Sequence, residues 1–272
     1  MSSIEVELVK AFTQNPAEGN PAGVVLNADA LSAEVMTQIA AALGYSESAF
    51  VSASTSADFR VRFFTPTEET KLCAHGTLAA IHALKIFGPV HQETAAGILE
   101  VDVKEDGLIV MTQTEPEFSP YEADRTQVAQ LLGLNPQDLT DWPLQIVSTG
   151  TPKLLIPLTS LEVLRAIQPD LEGIKSFCRE SGAKGFYPFT LGADFHARQF
   201  NPLAGINEDP ITGVAAGALG AYLIKHQLLG KNTFIVEQGE NLGKPGKIFV
   251  DTTDKIKVGG YAVSFGKTTI EI

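Results

Sequence analysis

An internal repeat constrains the fold of this chain more than any other feature of its sequence. The same pattern of Phe, Arg, Phe and Pro occurs twice, as Phe59-x-x-Arg62-x-Phe64-x-Pro66 and as Phe195-x-x-Arg198-x-Phe200-x-Pro202. The copies are 136 residues apart in a chain of 272, and a glycine with a run of small residues follows each one. Four identities at fixed spacing predict one supersecondary unit used twice. The alternative is two unrelated amphipathic strands.

A genuine repeat predicts two similar halves with a cleft between equivalent faces. We place an N-terminal lobe at residues 1–115 and a C-terminal lobe at 116–264, beginning at the proline-rich stretch 115–120. The closing strand, residues 265–272, is predicted to return to the first lobe. Two units of this size fall within the usual range for domains.

Each half contains one stretch of small apolar residues with helical character. We predict these helices near 76–87 and 212–226. A helix that is apolar nearly all round needs to be buried. The sequence therefore predicts an α+β fold in which each half is a barrel-like, mostly antiparallel sheet around one central helix.

Gly76 and Gly213 stand where these two helices are predicted to begin. A helix N-terminus offers unpaired N–H groups and a partial positive charge, which suit a carboxylate or a phosphate. Two such termini across one cleft would hold a small anion from both sides. Tight packing of helix against strand explains either glycine alone equally well.

Composition excludes several classes of function. The chain has 32 acidic and 20 basic residues, a net charge of −12, and no basic stripe of the kind that nucleic acids require. No apolar run reaches the ~20 residues of a membrane helix, and the N-terminus lacks signal-peptide features. We expect a cytoplasmic protein. Motifs for nucleotide cofactors and the spacing of metal ligands are missing, so we predict no cofactor and no metal.

Three polar residues are candidates for proton transfer, each with a plainer alternative. Glu47 enters an apolar strand predicted at 47–51, where desolvation would raise its carboxyl pKa, although an exposed strand-edge carboxylate is the simpler reading. His75 directly precedes a helix start but could be a capping or packing residue. Asp209 holds the related place in the second half, where spacing alone favours an N-cap.

The two cysteines, Cys73 and Cys178, are too few for a disulfide framework. Cys73 precedes the first predicted helix start, where its thiol pKa could be lowered. A thiol racemase needs two opposed bases, and Cys178 lies far from Gly213 in the sequence. A two-thiol mechanism is therefore disfavoured.

Several segments, in order along nearly the whole chain, resemble the phenazine-biosynthesis isomerase-like (PhzF-like) family. The matching stretches are Asn20-Pro21-Ala22-Gly23-Val24, Ser46-Glu47-Ser48-Ala49-Phe50, Phe64-Thr65-Pro66-Thr67, Leu72-Cys73-Ala74-His75-Gly76-Thr77-Leu78-Ala79, Ser148-Thr149-Gly150-Thr151-Pro152 and Gly205-Ile206-Asn207-Glu208-Asp209-Pro210-Ile211-Thr212-Gly213. That family shares the diaminopimelate epimerase fold. The resemblance thus implies two similar halves with the active site between them and, as an oligomer, a homodimer.

The resemblance also implies residue roles. Glu47 would be the general acid/base, with His75 and Asp209 assisting proton movement. It further implies a substrate-binding set: Asn20, Ser46, Ala74, Gly76, Gly213 and Val214. Backbone groups near Ala74 and Gly213 would hold the substrate carboxylate. Two departures stand out: Ala74-His75-Gly76-Thr77 replaces the usual Gly-His-(Ala/Pro)-Thr, and Val214 replaces a common serine.

These observations lead to three hypotheses about function. The first is a cofactor-independent isomerase that moves a proton on a small carboxylate, such as a cyclic amino or hydroxy acid, with Glu47 as proton carrier. The second is a non-catalytic small-molecule binding or regulatory protein of the same fold, suggested by Val214. A thiol-dependent racemase is the third.

Overall fold

The computed structural model describes residues 3–191 and 194–272, which form nineteen strands and six α-helices. The strands are β1 Ser3–Ala11, β2 Asn20–Val25, β3 Ser48–Ser52, β4 Phe59–Phe64, β5 Glu69–Thr70, β6 Gly88–Thr94, β7 Gly97–Val103, β8 Ile109–Thr112, β9 Glu117–Phe118, β10 Gln145–Ser148, β11 Lys153–Pro157, β12 Phe186–Leu191, β13 Phe195–Ala197, β14 Gln199–Asn201, β15 Ile206–Asp209, β16 Thr233–Gln238, β17 Gly246–Asp251, β18 Lys257–Gly260 and β19 Ala262–Glu271. The helices are α1 Ala33–Leu43, α2 Ala74–Leu84, α3 Arg125–Leu131, α4 Leu161–Ala166, α5 Leu171–Ser181 and α6 Gly213–Lys225.

The strands pair in the same order twice. In the first half β1–β2 is antiparallel, β2–β3 parallel, β3–β4 antiparallel and β4–β6 parallel, and β6, β7 and β8 form an antiparallel run. In the second half β10, β11, β12, β13, β16, β17 and β18 repeat this sequence of orientations. The repeat predicted from the sequence is therefore confirmed as a duplicated order of strands and helices, within a mixed α+β fold.

The strand that follows each repeated run of strands pairs with the first strand of the other run. After β8, the short strand β9 pairs with β10; after β18, β19 pairs with β1 along its whole length. An antiparallel ladder between β8 and β18 joins the halves a second time. The predicted return of the C-terminal strand is confirmed, and it begins at Ala262 rather than at residue 265.

The repeated Phe, Arg and Pro pattern builds the same local structure in both places. Residues two apart on a strand share a face, so each arginine lies over the ring of the second phenylalanine, at 5.0 and 4.9 Å. A glutamate beyond the turn then forms a bidentate ion pair with that arginine. The groups are Arg62, Phe64 and Glu69 in one copy and Arg198, Phe200 and Glu208 in the other. This unit leads into each of the two small-residue helices.

Both small-residue helices are buried, as predicted. The α2 helix packs on β1, β2, β3 and β19, and α6 packs on β10, β11, β17 and β18. The predicted start of α2 at Gly76 is wrong, because the thiol of Cys73 accepts a hydrogen bond from the Gly76 N–H and caps a helix that begins at Ala74. Its predicted end is also too late: Lys85 adopts a left-handed conformation after Leu84, and β6 begins at Gly88.

The two helices begin side by side. A Cβ atom placed on Gly213 would lie 2.6 Å from Cβ of Ala74 and 2.8 Å from Cζ of Phe12. Glycine at this position is thus required by the close approach of α2 to α6. The residues that precede the two helices consequently converge on one place.

Candidate active site

A cavity of about 490 Å³ opens where α2 and α6 begin. Its wall includes residues from both halves of the repeat. They include Glu47, Glu68, Cys73, Ala74, His75, Lys153, Lys184, Asp209, Thr212, Gly213 and Val214. All three candidate proton-transfer residues from the sequence therefore line one cavity.

His75 is the centre of a polar cluster in the first half. Its ring is buried in the first turn of α2, with Nε2 at 3.6 Å from Oε2 of Glu47 and 3.3 Å from Oγ of Ser46. On the other side, Nδ1 lies 3.3 Å from Sγ of Cys73. The imidazole thus lies within reach of a carboxyl, a hydroxyl and a thiol at once.

Glu47 directly precedes β3 instead of lying in it, which corrects the predicted strand start. Its side chain is 17% exposed. Burial raises the pKa of the Glu47 carboxyl. The neighbouring His75 and Lys153 and a hydrogen bond from Ser46 oppose that rise, and the charge of Asp209 adds to it. A carboxyl whose pKa is raised toward neutrality can both accept and return a proton.

Asp209 ends β15, and hydrogen bonds hold both of its carboxylate oxygens and its backbone oxygen. Asn20 Nδ2 donates to its Oδ1 at 2.9 Å, and Thr212 Oγ1 donates to its Oδ2 at 2.5 Å. Gln238 Nε2 donates to its backbone oxygen at 2.9 Å. The expectation that Asp209 is a helix N-cap is wrong: Thr212 occupies the cap position of α6. The carboxylate is fixed at the cavity wall instead.

Asn20 and Ser46 connect the two sides of the cavity. Ser46 Oγ donates to Asn20 Oδ1 at 3.5 Å and also approaches Nε2 of His75. Because Asn20 bonds Asp209, a chain of polar groups runs from Asp209 to the imidazole of His75. Asn20 is almost fully buried, and both residues lie behind the cavity wall. Their position fits support of the polar groups more directly than contact with a ligand.

Three of the other four members of the substrate-binding set line the cavity, and the fourth does not. Ala74, Gly213 and Val214 line the cavity, and all three lie in the first turn of a helix, where N–H groups lack helical partners. Gly76 does not line it. A Cβ on Gly76 would lie 2.8 Å from the ring of Phe63, so close packing accounts for this glycine.

Cys73 lies in the cluster but is poorly suited to act as a base. Burial raises the pKa of its thiol well above the ordinary value, and the negative charge of Glu47 raises it further. The expectation of a lowered thiol pKa is therefore wrong. The corresponding cap position of α6 is Thr212, and Cys178 is buried in α5, away from the cavity wall. No opposed thiol faces Cys73 among the described residues.

Glu47, Cys73 and His75 are also the group of side chains best placed to hold a metal ion. One donor atom from each lies within 4.8 Å of the others. A thiol must lose its proton to become a good metal ligand, and burial disfavours that step here. The absence of a resident metal remains a prediction from the sequence.

Lys153 is the cavity residue that sequence reasoning missed. It begins β11, is 2% exposed and lines the cavity. Burial lowers the pKa of its ammonium group, against the attraction of the Glu47 and Asp209 carboxylates. In the sequence, Lys153 directly precedes the apolar run Leu154-Leu155-Ile156. A strand that begins with an exposed lysine has the same pattern, so the sequence does not distinguish a buried lysine from an exposed one.

The strand register identifies the equivalents of Glu47 and Lys153 in the opposite halves. β3 begins to pair with β2 at the residue directly after Glu47, and β12 begins to pair with β11 at the residue directly after Gly185. On the partner strands β2 and β11, pairing begins directly after Ala22 and directly after Lys153. The first half thus has an acid and an alanine where the second has a glycine and a lysine.

Fold and site together define an internally duplicated α+β protein with a cavity, lined by Glu47, His75 and Asp209, at its two equivalent helix starts. Comparison with known proteins gives the family. The model of the family described as "Phenazine biosynthesis-like protein" matches residues 9–268. The chain belongs to this family, the PhzF-like proteins.

Individual relatives agree with this assignment. The chain is 37% identical to "Uncharacterized isomerase YfhB" of Bacillus subtilis, over 97% of each chain. It is 30% identical to the trans-2,3-dihydro-3-hydroxyanthranilate isomerase of Pseudomonas chlororaphis, over 97% of this chain and 98% of the relative. A crystal structure of a PhzF-family phenazine biosynthesis protein from Bacillus anthracis matches all of both chains, with a TM-score of 0.90 and 35% identity.

The class of activity follows from the family and these relatives: the protein is an enzyme of the isomerase type. The PhzF-like resemblance found in the sequence is confirmed. In the residues that the structure describes, every helix is too short or too polar to span a membrane.

Proposed function

We propose that the protein is a cofactor-independent isomerase that moves a proton on a small carboxylate, with Glu47 as the general acid/base. One observation carries this proposal: a largely buried carboxyl with a raised pKa lies 3.6 Å from a buried imidazole in a cavity. A carboxylate whose pKa is raised is a stronger base than an exposed one, which suits the transfer of a proton from carbon.

The neighbours of Glu47 have supporting roles in this proposal. His75 exchanges protons with Glu47 or with the substrate, since its Nε2 faces the carboxyl. Asp209, fixed by Asn20 and Thr212, holds the orientation of the polar chain that reaches His75. The first-turn N–H groups of α2 and α6, at Ala74 and Gly213, bind the substrate carboxylate through the positive ends of both helix dipoles.

The size and lining of the cavity support a small substrate. A volume of about 490 Å³ lies within the usual range for small-molecule sites. The Pseudomonas chlororaphis relative is named for a cyclic amino acid carrying a hydroxyl group. We therefore propose a small cyclic amino or hydroxy acid as substrate. Val214 presents an apolar surface to this cavity, so this part of the wall offers a substrate no hydroxyl group.

Solvent deuterium incorporation tests this function. Candidate carboxylates are incubated with protein in D₂O, and incorporation is followed by mass spectrometry. We expect wild-type exchange with at least one cyclic amino or hydroxy acid, and a loss of about 10²–10⁴-fold in Glu47→Gln. Glu68→Gln is the matched control, since Glu68 is an exposed carboxylate on the same cavity wall. Equal exchange by wild type and Glu47→Gln rejects the assignment.

A second candidate is a binding or regulatory protein that keeps the fold without catalysis. Val214 favours it, because a hydroxyl at that wall position would be one more group for a substrate to bond. Tight ligand binding that Glu47→Gln leaves unchanged, with no exchange across a broad panel, would establish this function instead.

The duplicated strand order also supports the finer architecture expected from the sequence. We propose two pseudo-symmetric lobes, residues 1–115 and 116–264, each a barrel-like sheet around α2 or α6, with the C-terminal strand returned to the first. Limited proteolysis near 115–120 would test the boundary. A homodimer and a cytoplasmic location stay predictions; light scattering tests the first.

A further inference from the structure

Lys153 is the one buried lysine or arginine in the described part of the cavity wall. Lysine is rarely fully buried unless it is paired, because moving an ammonium group out of water is costly. Lys153 is nevertheless 2% exposed. Within the described ranges, no ion pair of 4.0 Å or less joins it to a carboxylate. Its charge is therefore available to a ligand.

The fold itself does not require a lysine here. The equivalent position in the first half is Ala22, at the same place in the same parallel ladder. Ala22 is fully buried as well, so a small apolar side chain satisfies the packing of this element. The lysine is an addition to a duplicated scaffold rather than a part of it.

The position of Lys153 complements that of the acid–base pair. Glu47 and His75 belong to the first half and Lys153 to the second, and all three line the same cavity. Burial lowers the pKa of the Lys153 ammonium group, and the neighbouring Glu47 and Asp209 carboxylates oppose that shift. An anionic ligand between the halves would meet the ammonium group on one side and the proton carrier on the other.

We propose that Lys153 is a specificity-determining residue whose ammonium group binds the substrate carboxylate together with the first-turn N–H groups of α2 and α6. The inference rests on the proposed isomerase function. It specifies that the substrate is selected by its negative charge, which binds a lysine of the second half of the duplicated fold. In the low-dielectric cavity a charge-assisted hydrogen bond to Lys153 is stronger than one in water. Substrates that carry a carboxylate are therefore preferred over neutral analogues of the same shape.

A matched pair of small probes tests the proposal: 2-aminobenzoate, which carries a carboxylate, and 2-aminobenzamide, its neutral isostere. Dissociation constants of both are measured by calorimetry for wild type, Lys153→Met and Lys184→Met. Lys184 is the control because it lines the same cavity but is exposed, so water screens its charge.

We expect wild type to prefer the carboxylate by at least tenfold, and Lys153→Met to lose most of that preference while its affinity for the amide stays within about threefold. Lys184→Met should keep the preference. Retention of the full preference by Lys153→Met overturns the proposal, and so does a wild-type protein that binds neither probe or binds both equally.

Stability and exchange measurements separate this proposal from its alternatives. If Lys153 serves a ligand, Lys153→Met should raise the melting temperature of the free protein, because a buried, unpaired charge is removed. A lowered melting temperature would identify it as a structural counter-ion of Glu47 and Asp209. The deuterium experiment with Glu47→Gln is independent: its failure rejects the isomerase, while failure of the probe experiment rejects only the role of Lys153.

Discussion

The two halves of this protein share an order of strands and helices but differ at the places that meet in the cavity. The first half has Glu47 and His75 there, and their equivalents by strand register and helix position are Gly185 and Val214. The second half instead supplies Lys153, whose equivalent is Ala22. Duplication thus built a symmetric cavity, and a few side chains made it electrostatically asymmetric. The acid–base pair that we propose lies on one side and the lysine on the other.

After Glu47, the largest loss of proton exchange is expected for substitution of His75, which lies in the first half of the fold. In His75→Gln the ring between Glu47 and Cys73 is lost. We expect proton exchange to fall by about 10²-fold, a typical contribution of one positioned acid/base group. His82→Gln, further along α2, is the control. Exchange within threefold of wild type in His75→Gln would remove His75 from the mechanism.

Gly213→Ala breaks the symmetric contact between the two helix starts. Its methyl group would lie 2.6 Å from Cβ of Ala74 and 2.8 Å from Cζ of Phe12, all in the packed core. We expect a loss of about 1–3 kcal/mol in the free energy of unfolding, as in other overpacked cores. Urea denaturation measures it, with Gly230→Ala as the control because a Cβ there meets nothing within 4 Å. Equal stability of both variants would contradict the close approach of Gly213 to Ala74 and Phe12.

The pH dependence of stability tests whether the first half of the fold holds a carboxyl with a raised pKa, that of Glu47. The pKa of Glu47 is raised in the folded state, so the stability it contributes is present at low pH and is lost as pH rises from its unfolded pKa through its folded pKa. His75, Lys153, Asp209 and Ser46 are the groups that act on it.

We therefore expect Glu47→Gln to be more stable than wild type at pH 8, by about 1.4 kcal/mol for each unit of raised pKa, with the difference vanishing below about pH 4. Denaturant titrations across pH 4–8 measure it. A variant less stable than wild type at pH 8 would show that the Glu47 pKa is not raised.

The smallest effect is expected at Cys73. A serine in its place keeps an acceptor for the Gly76 N–H and the cap of α2. Because burial keeps the thiol protonated and the second half offers Thr212 at the equivalent position, we expect Cys73→Ser to retain exchange within about threefold. Treatment with a chelator should likewise leave exchange unchanged. Loss of exchange in Cys73→Ser would support the thiol-dependent racemase.

The sequence predicts the duplication, the two buried helices and the meeting of Glu47, His75 and Asp209, because each rests on local pattern or on the family motifs. The start of α2 was misplaced, since a cysteine cap gives a weaker signal than serine or threonine. The N-cap role of Asp209 failed because Thr212 occupies the cap position of α6. The Asp209 carboxylate instead accepts hydrogen bonds from Thr212 and from Asn20, which is 189 residues away in sequence.

Lys153 shows most clearly what sequence reasoning lacks. A lysine at the start of a strand is usually exposed, and only the tertiary structure reveals that this one is buried in the cavity. Its significance also depends on knowing that Ala22 is its equivalent, which follows from the strand register and not from any shared sequence motif.

The most direct test of the account is solvent deuterium incorporation by wild type, Glu47→Gln and Glu68→Gln with the same carboxylate. The account predicts exchange in wild type and Glu68→Gln and a loss of at least about 10²-fold in Glu47→Gln. Equal exchange in all three proteins would contradict the claim that the first half of the duplicated fold carries the proton.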